Sequence, residues 1–216
     1  MTDSPADYNF RAGFDDPVHG AQQTFRALLA AMSHPGRLHE LPPAALAGLQ
    51  PEDPDLAPPL PTAVSAVLLT LLDGQTPARL CGDYDSAAPW LRFHTGARSA
   101  AADEPATVVA APCAEVDETL CEALALGSDE APQDGATLVV AVDGLSDGDS
   151  GEGLVVELRG PGIESMQRLR VAGLPASFWA WRRELRPALP RGVDLVLAHG
   201  TRLAAIPRST RVALGS

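Results

Sequence analysis

The chain sets 28 Asp and Glu against 16 Arg in 216 residues, a formal charge of −12 with no lysine at all. Binding a polyanion depends on neutralising its phosphates with cations, so this balance excludes duplex nucleic acid as a partner. The missing lysine excludes a Schiff base to pyridoxal phosphate and a Walker-type phosphate lysine, so no such cofactor is expected, and any phosphate must be held by Arg, hydroxyls and backbone amides.

One domain suffices at this length, with enough core to bury roughly 70% of the surface of the unfolded chain. We expect an N-terminal arm over 1–15 and a single α/β domain over 16–216. No apolar run approaches the roughly 18 residues of a membrane helix, and the opening MTDSPAD has neither the basic start nor the apolar stretch of a secretory signal; a cytoplasmic protein with no membrane span is expected. Cys81, Cys113 and Cys121 lack the paired close spacing of zinc or iron-sulfur ligands, which predicts neutral thiols and no metal.

In the arm, Tyr8, Phe10 and Phe14 are isolated anchors. Asp16 and Pro17 then open a helix as N-cap and first helical residue, with Ala21, Phe25, Leu28, Leu29 and Met32 as an apolar stripe and 34–36 as its stop. An edge strand over 37–41 leads into 42–61, whose seven prolines predict an extended surface loop. The run 62–72 is a helix apolar nearly all round, with more apolar surface than one small core usually absorbs. Strands at 78–81, 91–94 and 107–111, a short helix over 83–89 and an amphipathic helix over 115–126 follow.

The stretch 134–163 reads as one β-hairpin: strands over 137–142 and 154–158 joined by a Gly, Asp and Ser-rich tip, then a turn at Gly160-Pro161-Gly162. Past it come a helix over 174–186, with Phe178, Trp181 and Leu185 on one face, and closing strands at 194–198 and 203–206. Helices interleaved with short apolar strands predict an α/β fold with a mixed sheet covered by helices.

Two clusters carry candidate chemistry. Arg92 and His94, placed on one face of a strand by alternation, are positioned to converge on a ligand or to form a structural ion pair or cap. Arg208, Ser209 and Thr210 follow a strand and combine a guanidinium with two hydroxyls, an anion cradle or an ordinary strand exit. Catalytic residues are not assigned, and His19, His34, His39 and His199 have no nameable partner. Gly148-Asp149-Ser150-Gly151 is similar to the nucleophile segment of trypsin-like proteases but departs from it at Glu152, and Asp147-x-Asp149 lacks the remaining ligands of a calcium loop, so both read as turn chemistry.

Together, FRALLAAMSHPG at 25–36, LLTLLD at 68–73 with Thr76-Pro77, LRFHT at 91–95, GATL at 135–138, GPGI at 160–163, GVDLVL at 192–197 and IPRST at 206–210 resemble the H subunit of the bacterial carbon-phosphorus lyase system. The similarity runs in order from about Pro17 to Val212, with the proline-rich loop and the Gly-Asp tip as local expansions and Ser209 in place of an expected threonine. The resemblance implies a role in organophosphonate breakdown. The complex of the G, H, I and J subunits carries a nucleoside triphosphate and an alkylphosphonate to a ribose-linked phosphonate. It further implies a homodimer, and a fold similar to the large domain of pyridoxal-phosphate transferases without the cofactor. A non-redox subunit for assembly or substrate handling is the expectation; a free-standing transferase or hydrolase with Arg92, His94 and Arg208 around one phosphate is the alternative.

Overall fold

The computed structural model describes residues 11–101, 103–148 and 151–215. In chain order its elements are α1 (Pro17–Ser33), β1 (His39–Glu40), α2 (Pro43–Leu46), α3 (Thr62–Leu71), β2 (Pro77–Leu80), α4 (Ala88–Thr95), β3 (Arg98–Ser99), β4 (Val108–Pro112), α5 (Glu118–Ala123), β5 (Thr137–Ala141), β6 (Gly144–Asp147), β7 (Leu154–Arg159), β8 (Gln167–Ala172), α6 (Ala176–Glu184), β9 (Asp194–His199), β10 (Arg202–Ile206) and β11 (Arg211–Leu214). The strands form a seven-stranded mixed sheet, ordered β1-β10-β9-β5-β4-β2-β3, and a four-stranded sheet, ordered β11-β7-β8-β6.

In the large sheet β9, β5, β4, β2 and β3 are parallel, and β10 runs against β9 and β1. Strands buried on both faces must be apolar at every position, which is why β4, β5 and β9 read as unbroken runs. Ala110, Val139 and Val196 face a core shared with α1, α3 and α4. Val109, Val140 and Leu197 face a second core, closed by Val156, Leu158, Leu169 and Val171 of the antiparallel sheet and by Phe178 and Trp179 of α6. The α/β class with a mixed sheet matches the expectation; the second sheet does not appear in it.

The hairpin over 134–163 does not form. Both edges of β5 are occupied by parallel neighbours, β4 and β9, so no edge remains for β7. β7 pairs instead with β8, which follows it, and with β11, which lies at the end of the described chain. The linker is also more than a solvated tip, because Leu145 of β6 is buried and β6 pairs with β8. Residues 149 and 150, which include the Asp and Ser of the protease-like and calcium-like segments, lie outside the described residues. The turn after β7 does follow its glycines, with φ of +145° at Gly160 and +80° at Gly162.

Residues 91–94 are helical, part of α4, which has Pro89 in its first turn and ends at Gly96 in the left-handed conformation. The proline-rich 42–61 is folded rather than extended. It makes α2 and two 3-10 turns, Ala47–Leu49 and Pro54–Leu56, and buries Leu46, Leu49 and Leu60. Proline excludes a central strand but is compatible with the first turn of a helix, and two of these three short turns, Pro43–Leu46 and Pro54–Leu56, begin that way.

Helix α1 starts as expected, the Asp16 carboxylate accepting from the amides of Val18 at 3.1 Å and His19 at 3.0 Å. Its buried face is Gly20, Thr24, Leu28 and Ala31, while Phe25 and Leu29 are 46% and 50% exposed. The small residues turn inward because α1 lies close on its surroundings; a Cβ on Gly20 would stand 2.6 Å from the Phe14 ring. Of the expected arm, Tyr8 and Phe10 fall outside the described residues, while Ala12 is tied down by its amide on Leu56 O at 2.7 Å and its carbonyl on Trp90 Nε1 at 3.0 Å.

Helix α3 is buried at every position from Ala63 to Leu68, against α1, α2, α4 and the sheet, so its apolar surface is absorbed within the chain. A dimer therefore gains no support from α3; an outward apolar strip lies on α1, where Val18, Phe25 and Leu29 share a face. Leu68→Ala, at a position with no exposure, is expected to cost about 2–5 kcal/mol in denaturant unfolding, whereas Phe25→Ala is expected to stay within about 0.5 kcal/mol of wild type at dilutions that keep the chain monomeric.

Candidate functional site

In an open α/β sheet, ligands usually sit beyond the carboxyl ends of the parallel strands, where the strand order reverses. Here the chain steps from β2 out to β3 and then back across to β4, so the reversal lies between β2 and β4. The segments leaving these two strands part to opposite faces, Tyr84 and Trp90 entering one core and Cys113 and Val116 the other. The resulting crevice is acidic and holds neutral thiols. Burial pushes the Cys81 thiol up, and Asp85, Glu115 and Asp117 reinforce that shift against the opposing Arg79. Burial and then a hydrogen bond with Asp143 raise Cys113, and burial pushes the Tyr84 phenol up to about 12. The His199 ring pairs through Nδ1 with Val142 O at 2.9 Å. Asp85, Glu115, Asp117 and Asp143 outnumber Arg79 among the charges acting on these thiols, a poor setting for a phosphate.

A groove of about 410 Å³ between α5 and α6 continues the acidic side, with Cys121, Phe178 and Trp181 in its lining beneath Asp117, Glu118 and Glu184. The Cys121 thiol is raised to about 11 by burial first and by Asp117 and Glu118 next. Among the described residues no three His, Cys, Asp or Glu side chains are grouped to hold a metal.

The predicted residues fall in two separate places. On a helix, residues two apart point about 200° apart, so Arg92 and His94 of α4 do not converge. The exposed His94 ring stacks edge-on with Trp90 and Phe93 and places Nε2 3.2 Å from Arg11 O. A Cβ on Gly13 would come 2.6 Å from that ring, so the histidine acts as a seat for the incoming chain. Arg92 is exposed and has no polar partner among the described residues.

Arg208 stands at the amino ends of the parallel strands, the opposite end from the crevice. Its Nε and Nη2 donate to Asp194 Oδ2 at 3.0 and 2.6 Å, its amide donates to Asp194 Oδ1 at 2.7 Å, and Nη1 donates to Pro132 O. Asp194 is the first residue of β9, and both side chains are 17% exposed. The fork that suits a phosphate is thus spent on a carboxylate that locks β10's exit onto the start of β9. Ser209 offers its carbonyl to Arg186 Nη1 at 3.0 Å, and Pro207 offers its carbonyl to Arg182 Nη2 at 2.8 Å. Thr210 is buried, and its hydroxyl has no partner among the described residues.

The α4 residues sit at the β2–β3 edge and Arg208 at β9–β10, three strand spacings away, or roughly 14 Å. Sequence reasoning missed Asp194, Arg182 and Arg186. Their signals were a carboxylate opening an apolar strand, and two arginines four apart on one helical face.

These features define an α/β protein that braces the exit of β10 with arginines and keeps the carboxyl-end crevice acidic. Residues 12–213 match the family described as bacterial phosphonate metabolism protein (PhnH), and the chain belongs to that family. It is 36% identical over 211 residues to the alpha-D-ribose 1-methylphosphonate 5-triphosphate synthase subunit PhnH of Rhizobium meliloti (strain 1021), covering 94% of this chain and 95% of that protein. It is also 32% identical over 193 residues to the putative C-P lyase subunit protein HtxG of Stutzerimonas stutzeri, covering 89% and 86%. The resemblance read from the motifs is therefore the right one.

Removing the arginine strands a partly buried carboxylate, so Arg208→Ala is expected to lower stability by about 2–4 kcal/mol in chemical denaturation, while Arg92→Ala leaves it within about 0.5 kcal/mol. Cys121, with its thiol raised to about 11, holds roughly one thiolate per thousand at pH 8. Alkylation mapped by mass spectrometry should label it slowly in the native protein, faster as the pH rises towards 11, and rapidly after unfolding.

Proposed function

We propose that this chain is a non-redox subunit in the synthesis of a ribose 1-alkylphosphonate 5-triphosphate from a nucleoside triphosphate and an alkylphosphonate, acting with other subunits of the carbon-phosphorus lyase system. The observation that carries this reading is the likeness to a subunit of alpha-D-ribose 1-methylphosphonate 5-triphosphate synthase, which spans 94% of this chain and 95% of that protein. The raised, protonated thiols fit a subunit without redox chemistry.

Within that reading the partners are the G, I and J subunits, the setting is the cytoplasm, and the chain pairs with a second copy through the apolar strip of α1. A fold likeness to the large domain of pyridoxal-phosphate transferases belongs to the same proposal. A free-standing enzyme using Arg92, His94 and Arg208 around one phosphate is disfavoured by their roughly 14 Å separation and by the commitment of Arg208 to Asp194. Tagged protein taken from a phosphate-starved host should carry the other subunits with it. Turnover of methylphosphonate and a nucleoside triphosphate is expected only with them present; turnover by the isolated chain would overturn the subunit reading.

A further inference from the structure

Behind the Arg208–Asp194 pair lies a second basic feature, between α6 and β11. A pocket of about 330 Å³ there is lined by Arg182, Arg183, Arg186, Thr210, Arg211 and Val212, a size within the range of small-ligand sites. Four of the chain's sixteen arginines meet in it, in a protein whose formal charge is −12. None of the four forms an ion pair with a carboxylate among the described residues. Four unpaired like charges repel one another, and an arrangement that gathers them without counter-charge is stabilised by an anion.

Two of the lining groups are buried and incompletely satisfied. Arg182 is 2% exposed, gives Nη2 to Pro207 O at 2.8 Å and leaves Nε without a partner. A buried cation without a counter-ion is costly, and burial lowers its pKa to about 10 although Asp194 opposes that shift. Asp194 is already held by three donors of Arg208. Thr210 is likewise 2% exposed, with its Oγ1 unpartnered. Arg183 and Arg211 stand exposed at the mouth, and Arg186 keeps one nitrogen on Ser209 O at 3.0 Å. Arginines in the last turn of a helix also answer its negative end, but that role is filled from water and does not call for a buried guanidinium lining a pocket beside an unpaired hydroxyl.

We propose that this pocket binds an oligophosphate chain, its oxygens taken by the four guanidiniums and the Thr210 hydroxyl. The anion class follows from the donors: guanidinium forks match phosphate oxygens in pairs, and a triphosphate's charge balances several of them where a single carboxylate does not. The choice of a triphosphate over other oligoanions rests on the function proposed above.

The test is titration calorimetry on the full chain with inorganic tripolyphosphate, ATP, orthophosphate and a glutamate-rich peptide. Tripolyphosphate is expected to bind about as tightly as ATP and at least roughly tenfold more tightly than the other two. The variant Arg183→Gln/Arg211→Gln, altered only at the exposed mouth, should lose roughly tenfold or more in affinity for tripolyphosphate while its melting temperature is unchanged. Thr210→Val should weaken binding several-fold without lowering the melting temperature, since it removes a hydroxyl that has no partner in the free protein; a purely structural threonine would show the reverse. The pocket assignment is overturned if wild type does not bind tripolyphosphate at millimolar concentration, if the mouth variant binds as wild type does, or if ATP binds and tripolyphosphate does not. Tighter binding of the peptide would reassign the pocket to a protein partner and overturn it equally. The parent reading is judged separately by capture of the other subunits: wild type that captures them while failing the titration leaves the subunit role standing, and wild type that captures none removes that role whatever the titration shows.

Discussion

The fold depends on the fact that β5 is paired along both edges and buried on both faces. A parallel strand in that position satisfies its backbone only through its neighbours and its side chains only through two separate covers. One cover is helical, with α3 as its most deeply buried member. The other is the antiparallel sheet, three of whose four strands the chain inserts between β5 and β9 before α6 brings it back. The connection from β5 to β9 is therefore a parallel crossover that carries most of a second sheet as well as its helix. This explains why β7 does not fold back onto β5: its apolar residues are needed across the interface, as Val156 and Leu158 packing against the large sheet, rather than beside β5 within it.

The same crossover gives the molecule two electrically different ends. Helix α6 begins beside the carboxyl ends of the strands, where Gly173 packs against Cys113 and Asp143, and finishes beside Pro207 at the amino ends. Its early residues face the carboxylates of α5, and its last turn supplies Arg182 and Arg183. The negative end of the helix thus lies among the arginines, a favourable placement for each of them. The usual location of ligands in an α/β sheet is taken here by neutral thiols and exposed carboxylates, and the arginines gather at the other end.

Much of the fold was legible in the sequence, and the failures have physical causes. Apolar runs long enough to be buried on both faces gave β4, β5 and β9, and the Asp-Pro opening gave α1. Strand β8 was missed because Gln167-Arg168-Leu169-Arg170-Val171 carries only two buried residues, although strict alternation is the signature of a strand with one wet face. The segment 91–94 reads as a strand in isolation because four residues are too short for either period to assert itself. The deciding features, Pro89 before it and left-handed Gly96 after it, lie outside the run. Residues 42–61 show the limit of composition: seven prolines rule out a ladder but leave helical turns available, and the leucines between them find the core.

At the exit of β10, the arginine that the sequence singles out is already committed within the fold. A guanidinium next to two hydroxyls after a strand is an anion signal only if nothing in the fold claims it first, and Asp194, fourteen positions away in sequence, claims Arg208. That competition is not visible in one dimension because the pair closes across the β9–β10 hairpin. It also decides the state of Arg182: with one carboxylate and two nearby guanidiniums, the better-placed Arg208 takes the ion pair, and the buried Arg182 is left with a backbone carbonyl. A native structure tolerates an uncompensated buried cation only where another gain offsets its desolvation. Here the groups around it, an unpartnered threonine hydroxyl and three further arginines about open space, supply no counter-charge, and they are the groups a phosphate chain would complete.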